Sequence, residues 1–232
     1  MTFQALDRWG LYRMEGRNVF VEWRTRRDPA PLKVMNFDRD FCRGQVFFRH
    51  PRYRNWLSTI LPNPLDYPLG EALMVSILGR GRGVMVHACG IDHNGRGYLF
   101  AGKSGHGKST IARLWEGQGR VLNDDRIVVR EVDGRFWMFA TPWHGDIDTV
   151  SPGAVPLDRI FFLRRGNTHR VDPVTGMRSS AALFARSFPP LWDRDSMAFT
   201  LDFFARLTSA AACHELTFAR DPSVVNFIRC VK

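Results

Sequence analysis

Between Leu99 and Leu114 the chain reads Leu-Phe-Ala-Gly-Lys-Ser-Gly-His-Gly-Lys-Ser-Thr-Ile-Ala-Arg-Leu, and no other stretch restricts the fold so tightly. Gly102, Lys103, Ser104, Gly105, His106, Gly107, Lys108 and Ser109 match G-x-x-x-x-G-K-[ST] in full. The pattern demands an apolar strand before it and a helix after it. Leu99-Phe100-Ala101 supplies the first, and the run from Lys108-Ser109-Thr110 through Leu114 supplies the second. In that setting glycines let the backbone curl so that its N–H groups point at phosphate oxygens. Lys108 brings a positive charge to the β- and γ-phosphates, Ser109 offers a hydroxyl to Mg²⁺, and Thr110 follows at the helix start. The helix N-terminus adds partial positive charge behind the loop. A nucleoside triphosphate with Mg²⁺ is therefore the expected ligand.

The rest of the chain reads as an ordinary globular protein. Its 232 residues, 44% hydrophobic and 24% charged, can bury a sizeable core. No apolar run reaches the roughly 20 residues that span a bilayer. The first residues lack a basic stretch followed by an apolar one, so no membrane partner and a cytoplasmic location are expected. The four cysteines form no C-x-x-C pair and are expected to be reduced thiols. A net charge of +10 would suit a polyanion, but the basic residues are scattered and no nucleic-acid-binding pattern accompanies them. Nucleic acid is not the expected partner, and a nucleic-acid-associated NTPase stays as a rival reading suggested by the charge.

Residues 8–48 look β-rich, with β-branched and aromatic runs at 19–23 and 45–48. Pro62, Pro64 and Pro68 punctuate a connection, and Leu69, Leu73 and Ile77 recur at helical spacing over 69–78. A small N-terminal β-subdomain over 1–66 and a second domain over 67–232 are expected. Strands are expected at 84–88 and 97–101, joined by a turn at Asp92-His93-Asn94-Gly95. Further strands are read at 126–132, 135–140, 157–163 and 216–219, with a hairpin turn at Asp133-Gly134. Helices are expected near 180–187 and 197–212, with a short one after Asp221-Pro222-Ser223. Because hairpins flank the glycine-rich loop on both sides, the expected class is α/β with a mixed, largely antiparallel sheet and flanking helices. The all-parallel βαβ build is disfavoured.

Asp124 and Asp125 end a short apolar strand some fifteen residues beyond Ser109. Adjacent carboxylates there are costly in a core unless they face a metal or a proton donor. One could hold Mg²⁺ with Ser109, and the other could deprotonate an attacking hydroxyl. His87 sits mid-strand, where a packed histidine is the commoner outcome. The stretch Thr141-Pro142-Trp143-His144-Gly145-Asp146 joins aromatic and titratable residues in one loop, and Arg164 or Arg165 could clamp a phosphoryl group.

Val86-His87-Ala88-Cys89-Gly90, Gly102–Thr110 and Asn123-Asp124-Asp125, in that order, resemble the catalytic domain of HPr kinase/phosphorylase. The likeness is closer to the HPr-kinase-related proteins of bacteria, which have counterparts of Asn123-Asp124-Asp125-Arg126 and Thr141–Asp146. It is good over residues 67–165 and weaker over the remainder. The resemblance implies the phosphoenolpyruvate carboxykinase-like fold, with Lys108 on the phosphates and Ser109 on Mg²⁺. Asp124 and Asp125 would share metal and base duties, and His87 would sit beside the γ-phosphate. It also implies self-association, since relatives in that family form hexamers. Residues 1–66 differ from the N-terminal domain of those enzymes, and residues 162–167 do not reproduce their Ile-Arg-Gly-Leu-Gly-type run. Thr110 stands where they carry an acidic residue. The expected activity is therefore an ATP- and Mg²⁺-dependent kinase acting on a Ser/Thr hydroxyl of a protein or peptide other than HPr. A small-molecule kinase and a non-catalytic nucleotide-binding module remain the alternatives, and the choice between ATP and GTP stays open.

Overall fold

The structure is a computed structural model that describes residues 2–5, 8–25, 27–49, 63–147 and 151–231; Pro62 lies outside them. The chain packs as two compact units. One comprises Met1–Arg80 with Pro190–Met197, and the other Gly81–Pro189 with Ala198–Lys232. Among the described residues no helix is long and apolar enough to cross a membrane.

In the first unit, strands β1 (Phe3–Ala5), β2 (Trp9–Met14), β3 (Arg17–Glu22), β4 (Lys33–Phe37) and β5 (Gly44–Phe48) form an antiparallel sheet in sequence order. Leu11 lies opposite Phe20, and Phe20 opposite Met35, so the three buried side chains share one face. That face packs against Leu69, Ala72 and Leu73 of helix α1 (Leu69–Leu78), the helix expected from its apolar spacing. A segment from far along the chain closes the unit. Trp192 packs edge-on against Trp9 and donates its indole N–H to Ser76 Oγ at 3.2 Å. Arg13 pairs with Asp193 nearby.

The second unit is a mixed α/β structure. Its strands are β6 (Val84–His93), β7 (Arg96–Ala101), β8 (Arg120–Asn123), β9 (Arg126–Val132), β10 (Arg135–Phe139), β11 (Ala154–Arg165), β12 (Arg170–Pro173) and β13 (Ala212–Phe218). The order is β10-β9-β6-β7-β11-β13-β12, with β8 beside β6. Only β7–β11 and β11–β13 are parallel; the other pairings are antiparallel. The expected turns join β6 to β7 at Asn94-Gly95 and β9 to β10 at Asp133-Gly134.

Alternation explains why this sheet is buried on both faces. Leu99, Ala101, Ile160 and Phe162 face helices α3 (Met177–Phe184) and α4 (Arg194–Ala210) through Leu183, Phe203, Phe204 and Leu207. Tyr98, Phe100, Phe161 and Leu163 face helices α2 (Lys108–Leu114) and α5 (Ser223–Cys230) through Ile111, Trp115, Val224 and Ile228. Each fully buried large side chain of this kind contributes about 1.5–3 kcal/mol. The parallel strands β7, β11 and β13 run in the same direction, β11 and β13 ending opposite each other and β7 three residues earlier, so the loops that leave them lie at one end of the sheet. Ligands of open α/β sheets bind at such carboxyl ends.

Candidate functional site

The loop from Gly102 to Gly107 leaves β7 and turns directly into α2. Gly105 and Gly107 have φ of +80° and +100°, in the left-handed region where a side chain is strained. At Gly107 a Cβ would also meet Phe218 at 2.7 Å, so the loop lies flat on β13 only because this residue is glycine. Among the described residues, the backbone N–H groups of Ser104, Gly105 and Gly107 find no protein acceptor. These residues line a cleft of about 410 Å³, together with Lys108, Ser109 and Thr110. Gly102, Lys103 and His106 complete the loop without lining the cleft: His106 Nδ1 lies 3.1 Å from the Leu163 carbonyl, and Lys103 accepts a 3.4 Å contact from Lys108 Nζ.

Lys108 is only 7% exposed. Burial pushes its ammonium below the ordinary value, Arg126 adds to the push, and Asp125 and Asp124 pull against it. A desolvated cation of this kind favours an anionic ligand.

The turn between β8 and β9 carries the two aspartates, and it is organised by Asn123. This side chain is fully buried and satisfied. Its Oδ1 accepts the N–H groups of Asp125 and Arg126 at 2.8 and 2.9 Å, and its Nδ2 donates to the carbonyls of Thr141 and Trp143 at 2.9 and 3.2 Å. The aspartates then part company. Asp124 is 1% exposed and accepts the N–H of Gly145 at 2.7 Å and of Asp146 at 3.0 Å. It fixes that loop and does not itself line the cleft. Asp125 lines the cleft, pairs with Arg126, and accepts a bond from His87 Nε2 at 2.8 Å. Burial alone would raise the Asp125 carboxyl, but the hydrogen bond from His87 and the charges of Arg126, His87 and Lys108 outweigh it. The net direction is down. His87 is thus not a packed core histidine: it sits in β6 opposite Arg126 and reaches the cleft.

Alternation separates the two arginines as well. Arg164 turns to Glu215 at 3.0 Å, whereas Arg165 lines the cleft. In the loop 141–146, Thr141 holds the Arg126 carbonyl at 2.8 Å, Gly145 and Asp146 reach the cleft, and Trp143 and His144 do not. Ser109 Oγ donates to Asp146 Oδ2 at 3.3 Å.

Three cleft residues went unread in the sequence: Arg113, Asp146 as an individual side chain, and Arg220. Arg113 was within reach, since it falls one helical turn after Ser109 and on the same face. Arg220 follows β13 with no local signal.

Among the described residues no group of three or more His, Cys, Asp or Glu side chains could hold a metal unaided. Mg²⁺ bound through substrate phosphates needs only one or two protein oxygens. Ser109 and Asp146, adjacent hard-oxygen groups on the cleft wall, fit that need.

No protein-family model matches the chain, and no curated protein matches it. Among solved structures it matches the Hpr(Ser) kinase/phosphatase from Coxiella burnetii at 9% identity with a TM-score of 0.35, covering 62% of this chain and 88% of that one. A likeness of that size carries no argument about fold or activity.

Proposed function

We propose that the chain is an ATP- and Mg²⁺-dependent kinase that transfers the γ-phosphoryl group to a Ser/Thr hydroxyl of a protein or peptide. On this reading its second unit is of the HPr-kinase-like, phosphoenolpyruvate carboxykinase-like kind. The observation that carries the proposal is one cleft lined by loop residues whose N–H groups have no protein partner among the described residues, by a buried Lys108 and by an Asp125 held by His87.

The N–H groups of Ser104, Gly105 and Gly107 receive phosphate oxygens, and Lys108 stays on the leaving diphosphate. Ser109 and Asp146 would hold Mg²⁺, which when bound would supply positive charge to offset that of the phosphates. Asp125 faces the acceptor hydroxyl and takes its proton as the phosphoryl group moves. Its lowered pKa keeps it ionised at neutral pH, and a loose transition state needs only a late, weakly basic acceptor. His87 donates from Nε2 and fixes the carboxylate. Asp124 has a supporting role, holding residues 145 and 146 in place. Little covalent chemistry is required, so positioning and charge account for the rate.

The test uses γ-labelled ATP, Mg²⁺ and an extract or peptide pool as acceptor. Label is expected on Ser or Thr. Asp125→Asn should lower transfer by roughly 10²–10⁴-fold while nucleotide binding persists. Undiminished transfer in that variant would remove Asp125 from the mechanism, and label found only on metabolites would replace the protein acceptor with a small molecule.

A further inference from the structure

Four cationic side chains line the cleft, Lys108, Arg113, Arg165 and Arg220, against two carboxylates, Asp125 and Asp146. Lys108 and a bound metal ion suffice to neutralise most of a triphosphate, so the arginines are in surplus. Among the described residues none of the three has an ion pair or side-chain hydrogen bond, unlike Arg164 beside Arg165, which is paired. Like charges gathered without counterions repel one another, and an anionic partner relieves that cost.

Arg165 and Arg220 have a second distinguishing feature. They also line an adjoining, more open cavity of about 680 Å³, whose remaining lining is Gly166, Asn167 and Ala219. The two arginines therefore stand between the phosphate cleft and a neighbouring groove. They leave the carboxyl ends of the parallel neighbours β11 and β13, so the sheet fixes their spacing. Small residues around them leave room for an extended backbone. Among the described residues no aromatic side chain lines this groove, so they offer no stacking platform of the kind that single-stranded nucleic acid uses.

Resting on the kinase reading above, we infer that the groove beside Arg165 and Arg220 receives an acidic peptide segment, with Asp or Glu residues flanking the acceptor hydroxyl. The guanidinium groups take the flanking carboxylates as charge-assisted, bidentate pairs and leave the hydroxyl at the mouth of the phosphate cleft. Specificity then comes from charge on either side of the target residue.

The test compares three fluorescent peptides that share one serine and differ only in flanking glutamate, alanine or lysine. Binding is read by anisotropy on the full chain with a non-hydrolysable ATP analogue and Mg²⁺. The glutamate peptide is expected to bind about tenfold more tightly than the lysine peptide at low salt, from two exposed ion pairs acting together. The preference should shrink as salt rises. Arg165→Ala with Arg220→Ala should erase it, and Arg165→Glu with Arg220→Glu should invert it. Equal binding of the three peptides, a preference that survives both double variants, or tighter binding of a single-stranded oligonucleotide would overturn the inference. If the acidic peptide binds selectively yet accepts no label from γ-labelled ATP, the kinase reading fails and the acidic partner stands.

Discussion

The two sheets of this protein use strands of similar alternation and do different things with them. In the first unit each strand pairs with its sequence neighbour, and α1 covers the apolar face of Leu11, Phe20 and Met35, with Trp192 packed beside it. In the second, β7 pairs with β11 and β11 with β13, across separations of some sixty residues. That long-range pairing brings Lys108, Arg165 and Arg220 together, and the antiparallel pairings of β6 with β7 and β9 add His87 and Asp125 to the same cleft. Local pairing builds a stable surface; parallel crossovers gather chemistry from distant parts of the chain at the strand ends.

Breaking the non-local arrangement should cost most at Asn123. Asn123→Ala leaves the N–H groups of Asp125 and Arg126 and two carbonyls without their partner. A loss of about 3 kcal/mol is expected from the buried bonds, read by chemical denaturation, with the His87–Asp125 pair loosened as well. A loss below about 1 kcal/mol would mean that the strands hold the aspartate turn without it.

Gly107→Ala tests the loop alone. A positive φ and a contact with Phe218 should together cost about 2 kcal/mol, and nucleotide affinity should fall further than stability does. Wild-type affinity in this variant would show that the loop tolerates a shift away from β13.

The smallest effect belongs to the first unit, at Asp193, which with Trp192 ties a distant segment to the sheet. Burial would raise its carboxyl, but the Arg13 guanidinium and the Ser196 N–H outweigh this and hold it down at about 2. The folded state thus resists protonation. The stabilisation is complete above the ordinary carboxylate range and is lost as pH falls toward about 2. Solvent screening around this partly exposed pair limits the effect to roughly 1 kcal/mol. Asp193→Asn should flatten that part of the stability curve in a pH series of thermal melts; an unchanged acid limb would assign it to other carboxylates.

What could be read from the sequence follows the same division. Helix α1 and the turns at Asn94-Gly95 and Asp133-Gly134 announce themselves within a few residues, and the structure has them. Strand β13 begins at Ala212, where a helix was expected to run on, because its pairing with β11 decides its start. The short strand β8 shows in Val121-Leu122 before the aspartates, whereas β12 carries too little pattern to be seen alone. In the site, the glycine-rich loop was legible because its glycines answer to local backbone geometry and its Lys108-Ser109 follows at fixed spacing. The division of labour between Asp124 and Asp125 was not. Successive side chains point to opposite sides, and only the pairing of His87 with Arg126 across β6 and β9 shows which one meets the cleft. Arg220 was invisible for the same reason, since Arg165, Gly166 and Asn167 beside it in space are more than fifty residues away in the chain.

The most direct test of the central claim is calorimetric titration of Mg·ATP into the wild-type chain and into Lys108→Ala. The wild-type protein should bind with micromolar-range affinity, and the variant should bind at least about 100-fold more weakly while melting at or above the wild-type temperature, since a buried charge has been removed. Equal affinities in two folded proteins would show that the loop at Gly102–Ser109 is not where the nucleotide sits.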